Sequence, residues 1–114
     1  MPEIVVVRSP IPRADLASRT LDGNLVKAVV DVERSILAVG GDMHSDEEEV
    51  LLNDGSRQRD LWGINLLLDQ PAAQWLEFDS MINLRPSQGN RSRGVDDPAV
   101  RTRIRSVVDA LVQG

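Results

Sequence analysis

LVKAVVDVERSILAVGG, residues Leu25 to Gly41, is the stretch that decides the fold. Two runs rich in β-branched residues, Val26 to Val32 and Ile36 to Val39, flank the polar triplet Glu33-Arg34-Ser35, which is the pattern of two strands joined by a tight turn. Gly40-Gly41 ends the second run. A β-hairpin so early in a 114-residue chain rules out an all-helical bundle, and the neighbouring segments must pair with it or cover it.

Upstream, Glu3 to Arg8 (EIVVVR) reads as a short buried strand, and Pro10 and Pro12 punctuate the chain after it. Pro12 suits a first helical turn. With Ile11, Leu16 and Thr20 loosely on one face, a short helix is expected, stopped by Asp22-Gly23. Downstream, Ser45 and Glu48 have capping-box spacing and Gly55 falls where a C′ glycine would close the helix. The next strand is Leu61 to Leu68, ended by Asp69-Gln70-Pro71, with a helical turn fitting Ala72 to Trp75. Leu76, Phe78, Ser80, Ile82 and Leu84 then alternate with Glu77, Asp79, Met81, Asn83 and Arg85, the period of a strand with one face buried. Last, Asp97 caps and Pro98 opens a helix whose Val100, Ile104, Val107, Val108 and Leu111 make one apolar stripe. The order is β-α-β-β-α-β-β-α. It predicts an α+β fold, a mixed or mostly antiparallel sheet with helices packed on it, forming one domain over residues 1–114.

Composition narrows the function classes. Hydrophobic content of 41% beside 27% charged residues belongs to a folded chain, and with only Phe78, Trp62 and Trp75 aromatic the core must be aliphatic. Core packing is the first reading of both tryptophans, with Trp75 the more exposed candidate. The absence of cysteine excludes disulfides and thiolate chemistry and fits a reducing, cytoplasmic setting. No run reaches the length of a membrane span, so no membrane partner is expected. A net charge of -5 argues against general nucleic-acid binding. Charge is unevenly spread: between 85 and 105 six arginines face only Asp96 and Asp97, a local +4 that leaves -9 on the remainder.

Three constellations carry candidate chemistry. In RPSQGNRSRG (Arg85–Gly94), Arg85, Gln88, Asn90, Arg91 and Arg93 are the residue types that bind anion oxygens, with glycines that let backbone amides approach. The plainer alternative is that these arginines pair with the protein's own carboxylates. Asp31, Glu33, Asp42 and His44 offer oxygen and imidazole ligands, and Asp42 with His44 is a weak divalent-metal candidate; no other cofactor is expected. Asp79 leads the polar face of the expected 76–85 strand, and it, Asp31 and Glu33 are the weak catalytic candidates.

DLWGIN (Asp60–Asn65), EFDSMINLRPSQGNRSRGV (Glu77–Val95) and AVVDVERSILAVGGDMHSD (Ala28–Asp46) resemble the strings of a small prokaryotic, notably cyanobacterial, family of unknown function. The resemblance covers nearly the whole chain and implies no activity. The residues therefore support three readings. The first is a small domain that binds an anionic ligand or a protein partner through the 85–95 loop. The second is a hydrolase, metal-dependent in one version, acting on a phosphorylated or nucleotide-like substrate. The third is a structural domain that self-associates as a homodimer.

Overall fold

The hairpin forms as its pattern dictates. The computed structural model describes residues 3–20 and 24–114, and in it β3 (Leu25–Asp31) and β4 (Ile36–Val39) run antiparallel with Asp31 opposite Ile36. The buried Asp31 carboxylate closes the turn, accepting the amides of Glu33 and Arg34 at 2.9 Å and the Ser56 hydroxyl at 2.6 Å. Around this pair lie β1 (Val5–Val7), β5 (Leu61–Leu67) and β6 (Leu76–Glu77), in the order β1-β4-β3-β5-β6 with every neighbour antiparallel. A two-residue parallel pairing of β2 (Ile11–Pro12) with β7 (Val112–Gln113) stands apart. The α+β class and the mostly antiparallel sheet are as expected. Among the described residues no helix is long and apolar enough to cross a membrane.

Strand alternation gives the sheet two different faces. On one, Val26, Ala28, Val30, Leu37, Val39, Trp62, Ile64 and Leu66 meet Ile104, Val107, Val108 and Leu111 of α2 (Pro98–Leu111). The stripe read from the sequence is the buried one, and the Asp97 side chain caps the helix by accepting the Ala99 amide at 2.9 Å. Each such fully buried aliphatic contributes about 1.5–3 kcal/mol. The other face is thinner: Val29, Ile36, Ala38 and Leu61 pack under Leu51 of α1 (His44–Asn53) and Ile82.

Three expectations need correction. The segment after Pro12 is a 3-10 helix, Arg13–Arg19, and its expected stop at Asp22-Gly23 lies outside the described residues. Helix α1 starts two residues early for a capping box: Met43 holds the N-cap position without a side-chain bond, so Ser45 lies inside the first turn. Its end matches expectation. Gly55 has φ +106, and the amides of Gly55 and Ser56 bond back to Leu52 and Leu51, a Schellman closure. Trp75 is buried, in line with core packing as its first reading, and is covered by the Arg13 guanidinium 4.3 Å from its ring centroid.

The largest departure is in 76–85, where the strand stops after Glu77. The cause sits across the sheet in Gly63, where an added Cβ would come within 2.5 Å of Ser80 Cβ. Because β5 carries no side chain there, the incoming chain dips onto it at Ser80 and turns into a 3-10 helix, Met81–Asn83, whose Ile82 amide the Ser80 hydroxyl accepts. Ladder pairing is then continued by a side chain. Asn83 is fully buried, its Oδ1 accepting the Gly63 amide at 2.8 Å and its Nδ2 donating to the Gly63 carbonyl at 2.9 Å.

Glu47 of α1 is also fully buried. One carboxyl oxygen accepts the Gly41 amide at 3.0 Å, and Oε1 has no partner. Burial pushes its pKa up to about 9, against the opposing pull of the Gly41 amide and the Lys27 charge. The native state therefore holds a proton that the unfolded chain releases near its usual value of 4.5. Stability is full below that pH and declines as pH rises toward 9, by up to about 1.4 kcal/mol per unit. Glu47→Gln should flatten this decline and raise the Tm near pH 8 by roughly 4 °C or more. Thermal unfolding across pH checks it; parallel slopes in the two proteins would place the titrating proton elsewhere.

Candidate functional site

The arginine loop is tied shut by its own backbone. Arg85 and Asn90 exchange amide-to-carbonyl bonds at 2.9 and 3.1 Å around a 3-10 turn, Pro86–Gln88, that Gly89 completes at φ +85. Asn90 is buried and knots the residues after it, its Nδ2 shared among the carbonyls of Asn83, Ser92 and Gly94 and its Oδ1 accepting the Asp96 amide. The Arg85 guanidinium donates to the Leu61 carbonyl at 2.6 Å and to the Gln58 carbonyl, and lies 4.2 Å over the Trp62 ring. Gln88 donates to the Arg59 carbonyl. Arg85, Gln88 and Asn90, three of the five anion-binding candidates, thus each spend side-chain donors on backbone carbonyls of the protein itself.

Arg91 and Arg93 stay exposed. Arg93 donates to Asp79 Oδ1 at 2.8 Å, whereas among the described residues the Arg91 side chain has no ion-pair partner. The other candidates scatter. Asp31 is spent on the hairpin turn, and Glu33 lies 3.3 Å from Arg103 at the surface. Asp42 is exposed and His44 buried, and among the described residues no three His, Asp or Glu side chains are grouped to hold a metal ion.

Three of these residues do share a cleft: His44, Asp79 and Arg93 line a cavity of about 190 Å³ on the thin face of the sheet. Its floor is a row set by strand register, Lys27 on β3 opposite Asn65 on β5, and Asn65 opposite Glu77 on β6. Paired residues in an antiparallel sheet stand on the same face, so this polar row lies on the face that carries Val29 and Leu61. Lys27 is the chain's only lysine and His44 its only histidine. Sequence reading missed Lys27. The signal was one cation in an apolar strand run, at even spacing from Val29 and Asp31, but its neighbours depend on a register that no local pattern gives.

Geometry fixes the chemistry of this floor. His44 Nε2 lies 2.7 Å from the Ile64 carbonyl, which can only accept, so Nε2 carries the proton and a neutral ring has its lone pair on Nδ1. Burial pushes the ring's pKa below its ordinary value, helped by the Lys27 charge and opposed by the Ile64 carbonyl and the Asn65 side chain. Asn65 donates through Nδ2 to Glu77 Oε1 at 2.8 Å and to the Asp79 carbonyl at 3.3 Å. With both neighbours acceptors, the amide has one orientation, and its buried Oδ1 is left without a partner.

Loop residues should divide by what their side chains hold. Arg85→Ala leaves the Leu61 carbonyl unmet and uncovers Trp62, and Asn83→Ala orphans both polar groups of Gly63, so each is expected to cost roughly 2–3 kcal/mol. Arg91→Ala should stay within about 0.5 kcal/mol of the parent. Urea unfolding of the three variants decides; equal losses for Arg85 and Arg91 would deny the loop this division.

Neither a curated protein nor a solved structure matches the chain. A family model described as "Protein of unknown function (DUF5674)" matches residues 5–111, and the chain belongs to that family.

Proposed function

We propose that this domain binds a small anionic ligand in the Lys27 cleft. The observation that carries the reading is Lys27 itself: half-buried on the sheet face, and without an ion-pair partner among the described residues. Withdrawing an ammonium partly from water costs free energy unless a counter-charge arrives, and Lys27 stands where an incoming anion would supply it. Arg93, contributed by the 85–95 loop, lines the same cleft and adds a second donor group. The reading keeps anion recognition by that loop but moves its centre from Arg85, Gln88 and Asn90 to Arg93 and the strand floor.

Thermal unfolding in acetate, malate and phosphate, each against chloride at matched ionic strength, tests it. One of the three should raise the Tm of the parent, by an amount equivalent to about 2.7 kcal/mol at a hundred times its Kd, and Lys27→Met should abolish that rise while remaining folded. An unchanged rise in Lys27→Met would remove Lys27 from recognition.

A further inference from the structure

The cleft is not simply positive. Within it Lys27 and Arg93 face the carboxylate of Asp79, and Glu77 stands outside the lining at the end of the floor row. Here, beside the cations, lies a group of acceptors that want a donor: the Nδ1 lone pair of His44, the Asp79 oxygen that Arg93 does not use, and Asn65 Oδ1, which has no partner although its residue is only 6% exposed. The nearest polar group is the His44 ring, close enough to act on its titration, yet that oxygen accepts no hydrogen bond in the structure. Leaving a buried acceptor unmet costs about 1–3 kcal/mol, a cost that a ligand bringing an N–H removes.

We infer that the cleft takes a small zwitterion, an amino-carboxylate of the α-amino acid type, with its carboxylate at Lys27 and its ammonium among His44 Nδ1, Asp79 and Asn65 Oδ1. This rests on the anion reading above and adds the second half of the ligand. The depressed pKa of His44 supports it, because a neutral ring presents a lone pair rather than a second N–H. The rim suits an apolar substituent: Met43 and Met81, 57% and 62% exposed, flank the opening with Ile82. Methionine side chains are flexible and polarizable, and accommodate differing apolar shapes. A volume of about 190 Å³ matches a ligand the size of a single amino acid.

Isothermal titration of the intact protein near pH 7 tests this with four probes: L-leucine, L-methionine, 2-hydroxy-4-methylpentanoate and isopentylamine. One of the amino acids should bind at least about tenfold more tightly than the hydroxy acid, because a site built around an N–H rejects the analogue lacking it. It should also exceed the amine, which has no carboxylate for Lys27. Asp79→Asn should weaken the amino acid about tenfold and leave the hydroxy acid nearly unchanged, while Lys27→Met weakens both. Equal binding of hydroxy acid and amino acid would overturn the zwitterion and leave the anion reading standing. An amine as tight as the amino acid, or no binding of any carboxylate at 10 mM by a folded protein, would overturn both.

Discussion

The outer edge of β5 must be hydrogen-bonded without a strand to do it. Strand β6 pairs only at Asn65 and Leu66, yet the carbonyls and amides of Leu61 and Gly63 are buried and point the same way. An unmet buried backbone group is costly, so something must replace the missing ladder. Two side chains do: the Asn83 amide mimics a peptide unit opposite Gly63, and the Arg85 guanidinium takes the Leu61 carbonyl. The rest of the loop serves to hold these two in place. Asn90 ties 83 to 94, and Gly89 lets the chain return in six residues.

That constraint also shapes the cleft. Because the chain dips onto Gly63 at Ser80, it brings Asp79, Met81 and Ile82 over the end of β5 instead of continuing the sheet outward. The Asn83 amide has a second duty, donating to the Arg93 carbonyl at 2.9 Å, which fixes where Arg93 leaves the loop. Arg93 and Asp79 are therefore held across from the Lys27 and Asn65 row by a buried hydrogen-bond network, not by surface charge alone. Structure uses Arg85 and Asn90 of this arginine-rich stretch, and the proposed anion site uses Arg93.

What the sequence made legible was whatever depended on local period. The hairpin, β5 and the α2 stripe each announce themselves within fifteen residues, and Asp97-Pro98 and Gly55 mark helix ends by chemistry that acts over one turn. The 76–85 segment has a strand's alternation as strong as that of β5, and it failed for a non-local reason: a glycine on another strand made room for Ser80. Likewise Arg85 reads as a surface cation until Trp62, twenty-three residues earlier, is known to lie beneath it. Of the candidate site, His44, Asp79 and Arg93 were picked from the sequence in three separate groups. Their convergence depended on the β3–β5 register and on the path of the chain after β6, neither of which any single segment encodes.

The pairing of Ile11 with Val112 has a kinetic meaning. These residues are about a hundred apart along the chain, and closing a loop of that length costs about 4 kcal/mol in the logarithmic term alone. Two ladder residues return too little to offset that in an otherwise open chain. The clasp therefore forms after the sheet and α2 have already brought the ends together, and it opens first when they separate.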